Sequence, residues 1–158
     1  MAVKYKIAGE EDIGLLVESR LDTLRAVNRL DGDYTFSEAF LEASRDYFLN
    51  GSQDTALALE NGRVIGCASM CYYRLMPTFS HPTGKRAHLM NVYTDQAHRR
   101  QGIARRLVTL LIDLAWEKGA TEISLDATES GRPLYRSLGF TDSEECMVLE
   151  NSRGKENI

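Results

Sequence analysis

Apolar residues recur along the chain with two periods, and the switching between them lays out the elements. Val3, Tyr5 and Ile7 alternate with Lys4 and Lys6, the period of a strand over residues 3–8 with one solvated face. Gly9-Glu-Glu-Asp12 breaks that strand and sets acids at a helix start. Ile13, Leu16, Val17, Leu21 and Leu24 then follow helical spacing to about Val27. Asp31-Gly32-Asp33 is a turn. Thr35 or Ser37 can cap a second helix carrying Phe36, Phe40, Leu41, Tyr47 and Phe48, and Asn50-Gly51-Ser52 ends it.

Residues 55–59 and 63–76 read as two strands joined by Asn61-Gly62, a hairpin turn because both residues tolerate positive φ. A loop spans 77–84, closed by Lys85 and Arg86, and a third strand covers 87–94. Ile103, Leu107, Leu110, Leu111 and Leu114 mark a helix to about Lys118, with Gly119 as its stop. Residues 121–127 form the next strand, and the crossover through the helix makes it parallel to 87–94. Pro133 fits the first turn of a short helix that Gly139 closes, and 144–150 is expected as a last strand. The fold class is α/β: about four helices on a mixed, mostly antiparallel sheet. Residues 1–150 are expected as one domain and 151–158 as a polar, frayed tail.

The chemistry begins at Asp95-Gln-Ala-His-Arg-Arg-Gln-Gly-Ile-Ala104. A strand, a basic turn and a helix in that order put free N–H groups and a positive helix end at the top of a sheet, a seat for phosphates. Arg99 and Arg100 add charge, Gly102 admits a close backbone approach, and Ala104 keeps the first turn slim. No Gly-Lys-Ser/Thr and no triple-glycine fingerprint is present. Arg99-Arg-Gln-Gly102-Ile-Ala104 resembles the Arg/Gln-x-x-Gly-x-Gly/Ala signature of the GNAT N-acetyltransferase superfamily. That resemblance implies a turn holding the pyrophosphate of acetyl-CoA, with Arg99, Arg100, Gln101, Gly102, Ile103 and Ala104 as binding residues.

Gly131-Arg-Pro-Leu-Tyr135-Arg-Ser-Leu-Gly-Phe140 carries a second resemblance, to the family's Leu-Tyr-x-x-x-Gly-Phe motif. Its helix starts at the same end of the sheet as the phosphate turn, where open α/β sheets bind ligands. The resemblance implies that Tyr135 protonates the departing CoA thiolate, which a phenol with a pKa of about 10 can do at neutral pH. Asn91, Val92, Tyr93 and Thr94 are then expected to pair with the pantetheine arm as an added strand would, with a Val92 or Tyr93 N–H facing the oxyanion. The family often has Asn and Ala where this chain has Thr128 and Gly131. Thr128 and Ser130 remain candidates for cofactor contact.

Composition narrows the surroundings. A net charge of −4 argues against generic nucleic-acid binding, and no apolar run approaches a membrane helix. Cys67, Cys71 and Cys146 form no Cys-x-x-Cys, and His81, His88 and His98 do not join them at zinc spacing. The expectations are reduced thiols, no metal and a cytoplasmic location without a signal peptide. Family relatives are frequently dimers, so a homodimer is one expectation of the resemblance.

The proton acceptor is less legible. Many relatives place Glu before the turn, where this chain reads Met90-Asn91-Val92, and Asn cannot take a proton. His88 is the leading side chain, since imidazole exchanges protons near neutrality; a water relayed to Asp126 or Glu129 is the alternative. Tyr34, Tyr72, Tyr73 and His81 are candidates for the acceptor side, and Asp31, Asp33 and Glu38 could receive a cation. The expected activity is acetyl transfer to a primary amine of a small molecule or peptide. The alternatives are an acyl-CoA-binding module without catalysis and a protein using the basic turn for another nucleotide.

Overall fold

A computed structural model describes residues 2–153. Five strands form one sheet in the order of the chain: β1 (Lys4–Ile7), β2 (Gln53–Glu60), β3 (Arg63–Arg74), β4 (Lys85–Thr94) and β5 (Ile123–Leu125). The first four pair antiparallel, and β5 lies parallel to β4, as the crossover requires. The helices are α1 (Ile13–Val27), α2 (Glu38–Asn50), α3 (Ile103–Glu117) and α4 (Arg132–Ser137).

The period-2 pattern separates two cores. Ala56, Ala58, Ala68, Met70, Ala87 and Leu89 face α3, meeting Ile103, Leu107, Val108, Leu111 and Ala115. Each fully buried leucine of α3 contributes about 2 kcal/mol through apolar burial. Small alanines opposite large leucines let the helix lie close to the sheet. Gly66 extends this contact: a Cβ there would stand 2.9 Å from Ile103 Cγ2 and 3.3 Å from Leu107 Cδ1. On the other face Leu57 and Cys67 meet Leu16 of α1, with Phe48 of α2 at the margin. This cover is thinner, and α2 buries no residue fully.

Turn chemistry agrees with the pattern. Asn61 and Gly62 take φ of 53° and 77° in the β2–β3 hairpin. The Ser37 Oγ accepts the Phe40 N–H and caps α2, and Gly119 follows α3 with φ of 86°. Three expectations are corrected. The strand expected over 63–76 ends at Arg74, because the chain turns away into the 75–84 loop. The strand expected over 121–127 is only Ile123–Leu125. Residues 144–150, expected as a strand, form none, and every residue from 141 to 150 is exposed. Cys146 to Leu149 is an apolar run of strand-like composition, but no neighbouring edge lies alongside to supply the hydrogen bonds. The tail expected to fray, 151–158, lies outside the described residues from 154 onward.

One irregularity shapes the sheet. Along β3 and β4 the pairing runs Cys67 with Tyr93 and then Ser69 with Met90, so two β4 residues oppose Ala68. The extra residue is accommodated at Asn91, which takes a left-handed φ of 60°. Asn91 Oδ1 accepts a hydrogen bond from Arg20 of α1 at 3.1 Å, and Nδ2 donates to Ser69 Oγ at 3.1 Å. Its carbonyl accepts the Cys67 thiol at 3.3 Å. Ser69 continues to Thr55 at 2.7 Å, and both are buried. Burial raises the Cys67 thiol above its ordinary pKa despite the Thr23 contact, consistent with a proton available to donate. Burial also pushes the Arg20 guanidinium down, partly offset by Cys67 and Cys71.

The bulge gives a stability prediction. Asn91→Gly keeps access to positive φ, whereas Asn91→Val loses the same hydrogen bonds and adds β-branched strain of about 1–3 kcal/mol. Urea unfolding is expected to rank wild type above Asn91→Gly and Asn91→Val last by that margin. Equal midpoints for the two variants would remove the left-handed constraint.

Candidate active site

β4 and β5 pair only through Ala87–Ile123, His88–Ser124 and Leu89–Leu125. Beyond Leu89 the strands part, and the β5 side of β4 from Met90 to Thr94 has no strand partner among the described residues. Unpaired N–H and C=O groups on such an edge can hydrogen-bond an extended, amide-bearing ligand. The bulge at Asn91 lies in this free stretch. Val92 packs toward the α3 core and Tyr93 toward the α1 face. Thr94 Oγ1 is buried without a hydrogen-bond partner among the described residues.

The strand runs straight into the basic turn. A 3-10 turn at Gln96–His98 leads to Arg99 in extended backbone, then Arg100 with φ of 64° and Gly102 with φ of 77°. Gly102 is the N-cap of the 15-residue α3, and a Cβ built there meets nothing within 4 Å. The space over the first turn is open, and no side chain caps it. The Ile103 and Ala104 N–H groups therefore begin α3 without side-chain acceptors, at its positive end. Arg99 lies over the Tyr93 ring at 5.9 Å and donates to the Thr94 carbonyl at 3.3 Å. Arg100 and Gln101 form no ion pair or side-chain hydrogen bond among the described residues, so their polar ends remain available.

This turn is tied to the β2–β3 hairpin. His98 lies 3.3 Å from both Asp95 and Glu60, and Arg63 pairs with Asp95 at 3.1 Å. His98 is therefore a fastening of the turn. An open seat with left-handed backbone, free helix N–H groups and the orphaned Thr94 hydroxyl fits a diphosphate joined to an extended arm.

Across the opening, Tyr135 of α4 is half-buried, and burial raises its phenol above the ordinary tyrosine pKa. Its hydroxyl has no hydrogen-bond partner among the described residues, and its ring meets Phe140 edge-on at 5.9 Å. Gly131 explains one departure from the family pattern: a Cβ at 131 would lie 3.0 Å from the Tyr135 ring and 3.3 Å from Thr128 Oγ1. Thr128 Oγ1 accepts the Gly131 N–H at 3.2 Å and lies 3.3 Å from Ser130 Oγ. These two residues shape the start of α4, and Thr128 still has a proton to donate. Arg105 of α3 hydrogen-bonds Ser137 of α4, linking the two sides of the opening.

His88 sits at the throat, one residue before the strands part. Its Nδ1 is 2.7 Å from Ser124 Oγ and its Nε2 3.7 Å from the exposed Asp126. Other candidates fall into structural roles. Tyr72 donates to Asp54 at 2.7 Å beneath the Lys118 ammonium, and His81 bridges Thr121 and Glu122. Arg20 was not singled out by the sequence reading. Its only signal there was a charge inside the α1 apolar run, between Val17 and Leu21. Among the described residues no group of His, Cys, Asp and Glu could hold a metal, and no helix is long and apolar enough to cross a membrane.

Comparison with known proteins adds an independent line. The profile of the acetyltransferase (GNAT) family matches residues 21–140. A glucosamine 6-phosphate N-acetyltransferase of Trypanosoma brucei brucei is 30% identical over 89 residues, 56% of this chain and 58% of that protein. Human N-acetyltransferase 8 is 41% identical over 59 residues, 35% of this chain and 26% of that protein. The chain spans about half the length, or less, of these curated relatives. A Clostridium acetobutylicum protein described as a predicted acetyltransferase, solved with acetyl-CoA, superimposes with a TM-score of 0.82. It is 28% identical, over 94% of this chain and 96% of that one. With the basic turn, the parted strands and Tyr135 in the order the sequence predicts, and with a family profile matching three quarters of its length, the chain belongs to the GNAT acetyltransferase family.

Proposed function

We propose that this protein is an acetyl-CoA-dependent N-acetyltransferase acting on a primary amine within a single domain, residues 1–150. The observation that supports the reading is the unpaired, bulged β4 edge running into an open basic turn at the start of α3, with Tyr135 half-buried and its hydroxyl without a partner among the described residues. Acetyl-CoA supplies an activated acetyl thioester. Arg99 to Ala104 hold its diphosphate, and the Met90–Thr94 edge aligns the amide-bearing arm toward Tyr135. Thr128 offers a further hydroxyl to that arm.

The Val92 or Tyr93 N–H stabilises negative charge on the carbonyl oxygen as the amine nitrogen bonds to the acetyl carbon. His88, with Asp126 beside it, takes the proton lost by the amine. The carbon–sulfur bond breaks, Tyr135 donates its proton to the departing sulfur, and water restores the phenol. The amine enters from the thinly covered α1–α2 side. Glucosamine 6-phosphate belongs in the first panel of acceptors, because a curated relative bears that activity in its name.

The direct test is thiol release from acetyl-CoA against amino sugars with and without phosphate, polyamines, aminoglycosides and peptide N-termini. Turnover with at least one is expected. Tight acetyl-CoA binding with no release across the panel would favour the non-catalytic binding module.

Tyr135→Phe is expected to lower kcat by roughly 10²-fold or more while acetyl-CoA affinity changes little. Unchanged turnover would remove Tyr135 from proton transfer. The protonated phenol is the active form and burial raises its pKa, so the Tyr135-dependent fall in turnover with rising pH should be centred above the ordinary tyrosine value of 10.0. A Tyr135-dependent decline centred below that value would contradict the assignment.

Gly102→Glu places a side chain and a negative charge over the phosphate seat and strains the left-handed backbone. The acetyl-CoA Kd should rise roughly a hundredfold, about 2.7 kcal/mol. A wild-type Kd by calorimetry would refute the placement of the diphosphate.

A further inference from the structure

Among the described residues Arg20 is the one partly buried arginine without a carboxylate beside it. The other partly buried arginines are paired: Arg25 with Asp22, Arg86 with Glu122 and Arg132 with Asp142. A charge withdrawn from water is costly unless an opposite charge meets it. Arg20 Nη1 donates to the Asn91 side chain at 3.1 Å, and the rest of the guanidinium fork has no partner among the described residues. Asn91 takes one side of the fork and neutralises none of its charge. The groups that its charge feels are the thiols of Cys67 and Cys71. Cys67 is no counter-ion, since burial raises its thiol and the thiol donates to the Asn91 carbonyl.

The fold gives this charge a use. Along β3, Cys67, Ser69 and Cys71 stand opposite Tyr93, Met90 and His88 of β4. Cys67 and Tyr93 face α1, and strand alternation puts Cys71 and the His88 opposite it on the same face. A guanidinium bonded to Asn91 and within reach of both thiols therefore lies over the middle of this stretch. One end of the stretch is His88, which takes the amine proton in the mechanism above. The residue after Asn91 is Val92, a candidate donor to the oxyanion. The cover is thin here, because α2 buries no residue fully.

We infer that Arg20 receives a carboxylate or phosphate of the acceptor, so that the substrates are small amines carrying a negative charge. The assignment rests on the acetyl-transfer reading and names the substrate class of that same site. A planar guanidinium matches the paired oxygens of either anion and can hold them through two parallel hydrogen bonds. This anion is distinct from the diphosphate of acetyl-CoA, which belongs at the basic turn before α3. With the guanidinium beside Asn91 and the oxyanion donor one residue further on, amine and anion must stand a few bonds apart in one molecule.

The test compares acceptors that differ in the anion: glycinamide with glycine, ethanolamine with O-phosphoethanolamine, and glucosamine with glucosamine 6-phosphate. Thiol release from acetyl-CoA should give a kcat/KM at least about tenfold higher for the anionic member of one or more pairs. The first pair reads a carboxylate, the other two a phosphate. In Arg20→Gln that ratio should fall to about one, chiefly through KM, and Arg20→Lys should recover part of it. A purely structural role through Asn91 would lower both members of a pair alike and leave the ratio as it was; that result overturns the inference. Equal kcat/KM within every pair overturns it in the wild-type protein alone, whether or not the variants fold. If no acceptor turns over, the acetyl-transfer reading fails, and calorimetry of the same pairs on CoA-saturated protein decides the role of Arg20 separately. An Arg20-dependent preference for an anionic member upholds it, and absence of that preference overturns it.

Discussion

Asn91 takes a left-handed conformation in the middle of β4 because separate groups hold its polar atoms. Arg20 of α1 fixes the amide oxygen, Ser69 of β3 accepts from the amide nitrogen, and the Cys67 thiol reaches the carbonyl. A non-glycine residue at positive φ costs on the order of 1 kcal/mol and persists only where its surroundings impose it. Here the imposition comes from two layers at once, sheet and helix. The bulge lies where β4 is leaving β5 and running toward the basic turn before α3. The free edge and the angle of approach to α3 both depend on it. A half-buried arginine is costly inside a protein, and its use to hold one amide oxygen shows how tightly this backbone feature is specified.

Much of the framework could be read from local pattern. Asn61-Gly62 announced its turn, because few dipeptides accept two positive φ values. The spacing from Ile103 to Leu114 described α3 and its buried stripe, and the strand–helix–strand order fixed the parallel pair. Gly102 marked the start of α3 and Gly119 its end. These features live within a few residues of one another.

What escaped was set by partners far along the chain. Arg20 and Asn91 are 71 residues apart, so nothing in either segment announced their hydrogen bond. At Asn91 the sequence suggested an edge residue for the pantetheine arm and the absence of a carboxylate, but not the bulge, although Asn is among the few side chains that tolerate a left-handed turn. His98 carried no legible role in the sequence, and it fastens the turn between Asp95 and Glu60. Residues 144–150 show the limit of local composition: an apolar run suits a strand, but an edge must lie alongside it before one forms. Thr128 and Gly131 looked like departures from a motif, yet the tight approach of Gly131 to the Tyr135 ring gives the substitution a steric reason.

The three-pair junction of β4 and β5 behaves like the slider of a zipper. Its position sets the floor of the opening, and each additional residue pair would raise that floor by about 3.3 Å. The depth of the gap is therefore a backbone dimension, set by where two strands let go of each other, and exchanging wall side chains leaves it untouched.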